Sequence, residues 1–422
     1  MSSDIAAQNQ ARTRPGAAAR VVIVGAGPAG AALAFLLARR GVEVVLIERH
    51  NDFAREFRGE ALMPTGVDAI SQMGLRSELD SLPHTELAVI DFYVHRRGPF
   101  RIVLDSPDAD FRIRMVSQPL MLEMLATQAA QFSSFHLQRG STVRDLVFAG
   151  QRVIGVQLET STASREIRAD LVVGADGRSS IVRKRAQLHE QRFPQAFDVI
   201  WGKVPLPDFM SDRRTAGFFL NRRRAALAFP TADGQMQFGW LIEKGSFGEL
   251  KSRGVETWLS EMATELPAGM AAHLLANRGA VAHPFLLDVI CDRLVRWTAP
   301  GLLLLGDAAH PMSPVGGQGI NMALRDALVA ANHLCPVLMS GAGSDAIDAA
   351  ARRVQAERLP EIEEIQKGQQ QLPPFLFGST LSARIVRALA LRILAYPAIR
   401  RRAMLTAHDR LVNGVTRVRL QI

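Results

Sequence analysis

Cysteine and tyrosine are scarce in this 422-residue chain, with two of each. Cys291 and Cys335 stand 44 residues apart, form no Cys-x-x-Cys pair and match no metal-ligand spacing. That excludes a dithiol redox centre and a thiolate zinc site, so no metal is expected and a reducing cytoplasm is the expected compartment. No uninterrupted apolar run reaches the roughly 18 residues that a membrane span needs. Residues 1–19 are polar, lack the apolar core of a signal peptide and read as a disordered tail. Lysine is rare too. The net charge of +9 rests on arginine, with lysine only at Lys184, Lys203, Lys244, Lys251 and Lys367. Much of the excess falls at Arg384, Arg387, Arg392, Arg400, Arg401, Arg402, Arg410, Arg417 and Arg419, unaccompanied by aromatics or a recognition motif, so no nucleic-acid partner is expected. Those arginines form a solvated helix face, or draw an anionic cofactor, substrate or lipid surface in a weak peripheral membrane contact.

What is present is globular: 48% hydrophobic and 22% charged residues, at a length that suits two domains or one domain with a large insertion. Residues Arg20 to Gly25 form a β-branched run suited to a buried parallel strand. A helical pattern follows from Pro28 to Arg40, Gly41 stops it, and Val42 to Ile47 makes a second strand, which completes a βαβ unit. Thr65 to Met73 reads as helix, as does Ser117 to Phe132 with a serine cap and proline in its first turn. Strand-like alternation fills 141–173. From 196 to 290 short strands, among them Ala225–Phe229 and Gln235–Ile242 around the turn Thr231–Gly234, predict an inserted antiparallel sheet. After 317 the pattern is mostly helical, broken by Pro336, Pro373-Pro374 and Pro397.

Three segments carry chemistry. Gly25-Ala26-Gly27-Pro28-Ala29-Gly30 fits G-x-G-x-x-G: Gly25 for a tight turn, Gly27 for approach to a pyrophosphate, Gly30 for helix–strand packing. The second strand ends at Glu48, 18 residues after Gly30, placed to accept from a ribose. Next come Gly174-Ala175-Asp176-Gly177-Arg178-Ser179-Ser180 and then Gly306-Asp307-Ala308-Ala309-His310 through the Pro/Gly loop to Asn321. The last segment leads an apolar run into a helix N-terminus, whose unpaired amides suit an electron-rich group. Gly341 to Ala346 mimics a second fingerprint but has no strand before it and reads as a loop.

With these three motifs in this order, the chain from 20 to about 335 resembles the single-component flavoprotein monooxygenases of the para-hydroxybenzoate hydroxylase type. The resemblance implies an α/β fold: a Rossmann-like FAD-binding domain (20–85, 111–185 and 286–335), an inserted antiparallel β-sheet substrate domain (86–110 and 186–285), and a helical C-terminal segment (336–422). It implies FAD as cofactor, NAD(P)H as transient reductant without its own domain, and O2 as co-substrate. Gly25, Gly27, Ala29, Gly30, Glu48, Arg49, Asp176, Gly306, Asp307, Pro314, Gly317, Gly319, Ile320 and Asn321 are the implied cofactor residues, with Asp307 on the ribityl chain. Arg58 matches an arginine near the flavin and its phosphates, or else makes a surface salt bridge; Gln118 matches a flavin-contacting position, or else caps a helix. Asp176 borders the pyrophosphate, caps the helix that starts at Ser179-Ser180, or does both. Pro314, Gly316 and Gly317 fit the loop that leaves room beside the oxygen-reacting carbon. His310 offers a base but packs structurally in such motifs.

The reaction so implied is insertion of one oxygen atom, through a flavin hydroperoxide, into an aromatic, quinone-like or unsaturated apolar molecule, as in secondary metabolism. Phenol hydroxylases of this type often use a tyrosine base, and here only Tyr93 and Tyr396 exist. Tyr93 lines the pocket or sits at a sheet edge; His84, His95 or an arginine is the substitute, and epoxidation needs none. Phe218, Phe219, Phe229, Phe238 and Trp240 wall a pocket or fill the sheet core. A halogenase is disfavoured, since no lysine precedes Lys184 and Trp201, Trp240, Trp258 and Trp297 are never two apart. A reductase of a prenyl-type substrate is the alternative, given the apolar stretch Ile385–Ala395. A non-catalytic FAD-fold escort would have lost the flavin loop that this chain keeps.

Overall fold

The computed structural model describes residues 19–54, 60–94, 99–103, 112–160, 163–212, 214–221, 225–281, 284–377 and 413–422. Arg58, His95, the 1–18 tail and the arginines between 384 and 410 lie outside the described residues.

The β-branched run Arg20–Val24 (β1) is the centre of a sheet because both its edges are filled. Glu43–Ile47 (β2) pairs parallel with it on one side, and Phe135–Gln138 (β3) extends that side. Leu171–Gly174 (β4) pairs parallel on the other side, followed by Thr298–Ala299 (β5, antiparallel) beyond Leu302–Leu304 (β6). The order is therefore β5-β6-β4-β1-β2-β3. Successive strands are added on one side of β1 (β2, β3) and then on the other (β4, β6), and such a switch point opens a crevice at the carboxyl ends of the strands.

Helix α1 (Pro28–Arg39) is buried from Ala29 to Ala38, which explains its nearly uninterrupted apolar sequence. It packs on the sheet, on α3 (Gln118–Ala129) and on α4 (Gly319–Met339), with α2 (Pro64–Gln72) also against α4. Ser117 precedes α3 as expected but makes no side-chain cap bond. Pro336 sits inside α4, and α5 (Ser344–Phe377) runs through Pro373-Pro374, so these prolines do not break the helices as the sequence pattern suggests. Gly341, at φ +65°, turns the chain between α4 and α5, so its apparent fingerprint is a loop.

A second sheet has seven strands, in the order 285–287, 197–205, 235–243, 225–230, 215–220, 89–94 and 100–103. It is not purely antiparallel: Thr215–Leu220 pairs parallel with Val89–Val94, since these strands come from two separate excursions of the chain. The hairpin at Thr231–Gly234 forms as expected, with Gly234 at φ +76°. One face of this sheet, with Ile200, Val204, Phe219, Phe238 and Trp240, packs under helices that include Trp258 and Leu259. The opposite face presents Ala216, Phe218 and Phe229 to Ala61, Met63 and Met115, and Val199 and Trp201 to Val315. Among the described residues no helix is long and apolar enough to cross a membrane, and no cluster suited to a metal occurs.

Candidate active site

All three sequence motifs, and Glu48, emerge at the carboxyl ends of four neighbouring parallel strands, β2, β1, β4 and β6. Main-chain bonds knit these exits together: Gly25 N–H donates to Ile47 O at 2.8 Å, Ala175 N–H to Val24 O at 2.8 Å and Leu305 N–H to Gly174 O at 2.9 Å. The glycines divide by what surrounds them. A Cβ on Gly25, at φ +98°, would lie 2.5 Å from Ala175 O, and one on Gly30 would lie 2.0 Å from Gly25 O. Both are required by the protein's own packing. A Cβ on Gly27 would meet only Ala175 O, at 3.9 Å, and one on Gly319 would meet nothing within 4 Å. These two glycines stand at the N-termini of α1 and α4, which have no side-chain cap and no acid in their first turns. The open cradle at two uncapped helix ends fits the phosphates and the electron-rich ring of FAD.

Glu48 is buried; its carboxylate accepts from Ala26 N–H at 3.0 Å and His50 N–H at 3.1 Å, so it braces the glycine turn from behind. Arg49 turns outward, its Nε 2.9 Å from His50 Nε2. Asp176 caps the short helix 181–185, accepting from Ser180 Oγ at 2.5 Å and from the Ile181 and Val182 amides at 2.7 and 3.2 Å. Burial pushes its carboxyl above the usual range, and those hydrogen bonds oppose the rise. Gln118 is buried at the first turn of α3, and no hydrogen bond of its side chain is seen among the described residues.

Asp307 projects from a single 3-10 turn, Gly306–Ala308, one-third exposed, with Arg178 Nε 3.4 Å away. Its neighbours hold the turn and leave the carboxylate open. Gly306 N–H donates to Asp326 Oδ2 at 3.0 Å, and Arg183 Nη1 reaches Ala308 O at 3.3 Å. Beyond it, Gly316 and Gly317 adopt φ +80° and +61°, and a Cβ on Gly317 would lie 2.9 Å from Met63 Cε. Asn321 is fully buried: its Oδ1 accepts from Met63 N–H at 2.9 Å and its Nδ2 donates to Gly317 O at 2.7 Å. Its side chain therefore pins the loop to the 61–63 strand, which leaves its main chain for any cofactor contact. Ile320 packs against the main core.

His310 is not poised as a base. Its Nε2 lies 2.7 Å from Asp326 Oδ2, its ring packs on Trp297 at 4.8 Å, and Nδ1 is buried with no hydrogen-bond partner among the described residues. Asp326 opens a network of ion pairs with Arg358, Glu361 and Arg325, all at most 2% exposed. Burial pushes the Asp326 carboxyl upward, but His310 and Arg358 outweigh it and hold the group below its usual range; Glu361 is likewise lowered by Arg358 and Arg325 against burial. The C-terminal residues complete the network, since Glu361 Oε1 accepts from Val415 N–H at 3.0 Å and Arg325 Nη2 donates to Thr416 O. Gln366 and Gln369 on α5 hold the loop from outside: Gln366 donates to Pro311 O at 3.2 Å, and Gln369 to Ser313 O and Val315 O, each at 2.9 Å. None of these supports belongs to a motif, because they sit one to two helical turns or a whole helix away in sequence.

On the substrate side, register decides which aromatics matter. Phe218 and Phe229 face Ala61 and Met63, and Trp201 faces Val315 of the Pro/Gly loop, whereas Phe219, Phe238 and Trp240 are core on the opposite face. Tyr93 stacks on Phe219 at 5.0 Å on that same far face, so it does not line the pocket. His84 Nδ1 is 2.9 Å from Leu82 O. Lys203, unmarked in the sequence except by the rarity of lysine, lies on the inner-face strand 197–205 with Glu60 Oε1 at 3.2 Å.

Residues 18–364 match the family described as FAD binding domain. The 6-methylpretetramide 4-monooxygenase of Streptomyces rimosus is 33% identical over 369 residues, 83% of this chain and 84% of that protein. Among solved structures, p-nitrophenol 4-monooxygenase PnpA of Pseudomonas putida DLL-E4 is similar with TM-score 0.78 at 18% identity, covering 93% of this chain and 98% of that one. PqsL of P. aeruginosa in complex with 2-aminobenzoylacetate gives TM-score 0.75 at 21% identity, covering 87% and 99%. These two structural likenesses concern the fold.

Proposed function

Because this chain belongs to the FAD-binding-domain family of flavoprotein monooxygenases, we propose that it inserts one atom of O2 into an aromatic, quinone-like or unsaturated small molecule, with NAD(P)H as reductant. An aromatic acceptor of the chemical kind named for its 33%-identical relative, 6-methylpretetramide, is the first choice. When bound, FAD supplies the reducing equivalents and the activation of oxygen. The observation that carries the reading is the convergence of four strand ends on two uncapped helix N-termini, facing an aromatic sheet surface.

The protein's own work is then positional. Gly25, Gly27 and the amides of Ala29 and Gly30 take the pyrophosphate, Glu48 and Arg49 the adenosine ribose side, and Asp176 steadies the neighbouring turn. Gln118 is assigned to the flavin side, and the same role is proposed for Arg58, which falls outside the described residues. Asp307, held by Gly306 and Asp326, accepts from the ribityl chain. The α4 N-terminus, from Gly319, directs its partial positive charge at the ring system, which favours negative charge there. Pro314, Gly316 and Gly317 leave space beside the reacting carbon, while Met63, Trp201, Phe218 and Phe229 exclude water from it. The FAD domain corresponds to 20–85, 111–185 and 286–335, and the substrate domain to 86–110 and 186–285. Two buried, unpaired cysteines support a reducing, cytoplasmic setting.

The test is purification with FAD, followed by NADPH-dependent oxygen uptake in the presence of 6-methylpretetramide and labelled O2. One labelled oxygen in the product is expected. Asp307→Ala should lose a charge-assisted hydrogen bond of about 1.5–3 kcal/mol and hold FAD at least about tenfold more weakly. Wild-type flavin content and turnover in that variant would remove Asp307 from its assigned role.

A further inference from the structure

Among the described residues, the buried part of the inner face of the seven-stranded sheet is apolar except around Lys203 and Gln237. Lys203 Nζ lies 3.2 Å from Glu60 Oε1 and 3.1 Å from Asp233 Oδ2. Glu60 and Lys203 are largely buried, at 12% and 18% exposure, and Asp233 is half-exposed. Gln237 pairs across the strands with Lys203 on one side and Phe229 on the other, and is 4% exposed. Its Oε1 is buried with no hydrogen-bond partner among the described residues. An orphaned buried acceptor is costly and marks a donor that the described residues do not provide.

The place is adjacent to the chemistry. Glu60 directly precedes Ala61, whose Cβ would lie 3.5 Å from a Cβ on Gly317 and whose strand Asn321 pins to the loop. Trp201 and Phe229, in edge contact at 5.9 Å, flank the polar group on the sheet. Among the described residues no tyrosine reaches this face, since Tyr93 packs on the other one.

We propose that Lys203, Glu60 and Gln237 form the polar end of the substrate pocket and bind a phenolic hydroxyl, a role that rests on the aromatic-substrate reading above. The substrate O–H bond breaks and its proton passes to the Glu60 carboxylate, where a new O–H bond forms. The oxygen keeps the electron pair and is held as phenolate by the Lys203 ammonium. Gln237 Oε1 accepts from a neighbouring substrate hydroxyl. Burial raises the Glu60 carboxyl above its usual range, against the lowering by Lys203, which makes it a better proton acceptor. Asp233, at the solvent side of Lys203, balances the ammonium while Glu60 is protonated.

The test uses the full-length FAD-loaded enzyme and p-nitrophenol, whose phenolate and phenol differ in visible absorption. Near the pH where the free probe is half ionised, the wild type should bind it, perturb the flavin spectrum and raise its phenolate fraction. Lys203→Met should bind about tenfold more weakly, the loss expected for one charge-assisted hydrogen bond, and return the probe to its solution ionisation. Lys203→Arg should rescue most of the affinity. Glu60→Gln should lower kcat far more than it changes KM. FAD content and melting curves are read on each variant; if Lys203→Met does not fold, Glu60→Gln decides by whether the bound probe loses its raised phenolate fraction. Failure of the wild type to bind or ionise the probe, or equal binding by every variant, overturns the proposal. Labelled-oxygen incorporation into 6-methylpretetramide by the wild type is scored separately. Its presence beside unaffected variants means that the anchor alone is wrong, and its absence beside an ionising pocket means that the aromatic-substrate reading is wrong.

Discussion

The parallel sheet and the seven-stranded sheet solve different problems with different parts of the chain. At the parallel sheet the working groups are mostly main-chain: glycines that admit a close neighbour and helix N-termini, joined by a carboxylate at three of the four strand exits. At the seven-stranded sheet they are side chains, and whether a residue works depends on which face it occupies. A one-residue change of register would exchange Phe218 for Phe219 and leave the composition of the strand untouched. Backbone function is written locally in sequence, and face-dependent function is not.

Substitutions can break this contrast, beginning with the largest effect. Gly30→Val should give no folded holoenzyme, because its Cβ would fall 2.0 Å from Gly25 O, whereas Gly27→Val should fold and yet bind no FAD. Calorimetry of the two without and with FAD checks this; equal behaviour would show that these glycines do not divide into packing and ligand positions. Arg358→Met should cost about 3–5 kcal/mol, since it leaves Asp326 and Glu361 buried without a shared cation. The two carboxylates have lowered folded values in the wild type, so their stabilisation is full above the ordinary carboxylate range and fades as pH falls through those depressed values. Denaturant melts from pH 7 downward should therefore show the gap between wild type and Arg358→Met closing in acid.

Next in size, Phe238→Ala should cost about 3–5 kcal/mol of stability, as for other buried aromatics. Phe229→Ala should be milder in stability, and should act on substrate KM. Melting temperature and steady-state kinetics separate the two; a KM effect from Phe238→Ala alone would invert the assignment of faces. The smallest change is Tyr93→Phe, which should leave kcat/KM within about twofold because the ring stacks away from the pocket. A loss of two orders of magnitude would restore Tyr93 as a base.

The parallel core was legible for a local reason. Arg20–Val24 and Glu43–Ile47 are β-branched runs on either side of a helix, and both form as expected. Asp176 and Asp307 each stand beside a glycine directly after a buried strand, and they emerge side by side. The supports of the site were not legible. Asp326 carries no motif of its own, and its partner Arg358, with the Glu361 that Arg358 also binds, comes from another helix. Gln366 and Gln369 read as ordinary polar residues on a long charged helix, yet they hold the loop carbonyls from Pro311 to Val315. His310, attractive as a base beside Gly306-Asp307, is fully committed to Asp326. The inserted sheet was legible as strands, but not its parallel pairing of Thr215–Leu220 with Val89–Val94, which joins segments more than 100 residues apart.

By itself the sequence determined the cofactor-binding architecture and the class of chemistry, because glycine spacing, strand ends and helix starts act over a few residues of backbone. Only the tertiary structure decided which glycines serve packing and which leave room for a ligand, because that depends on atoms brought from other strands. It also decided which aromatic face meets the loop, and it brought Glu60, Lys203 and Gln237 together from three separate places in the chain. Each of those outcomes is a distance between segments remote in sequence, which no local pattern encodes.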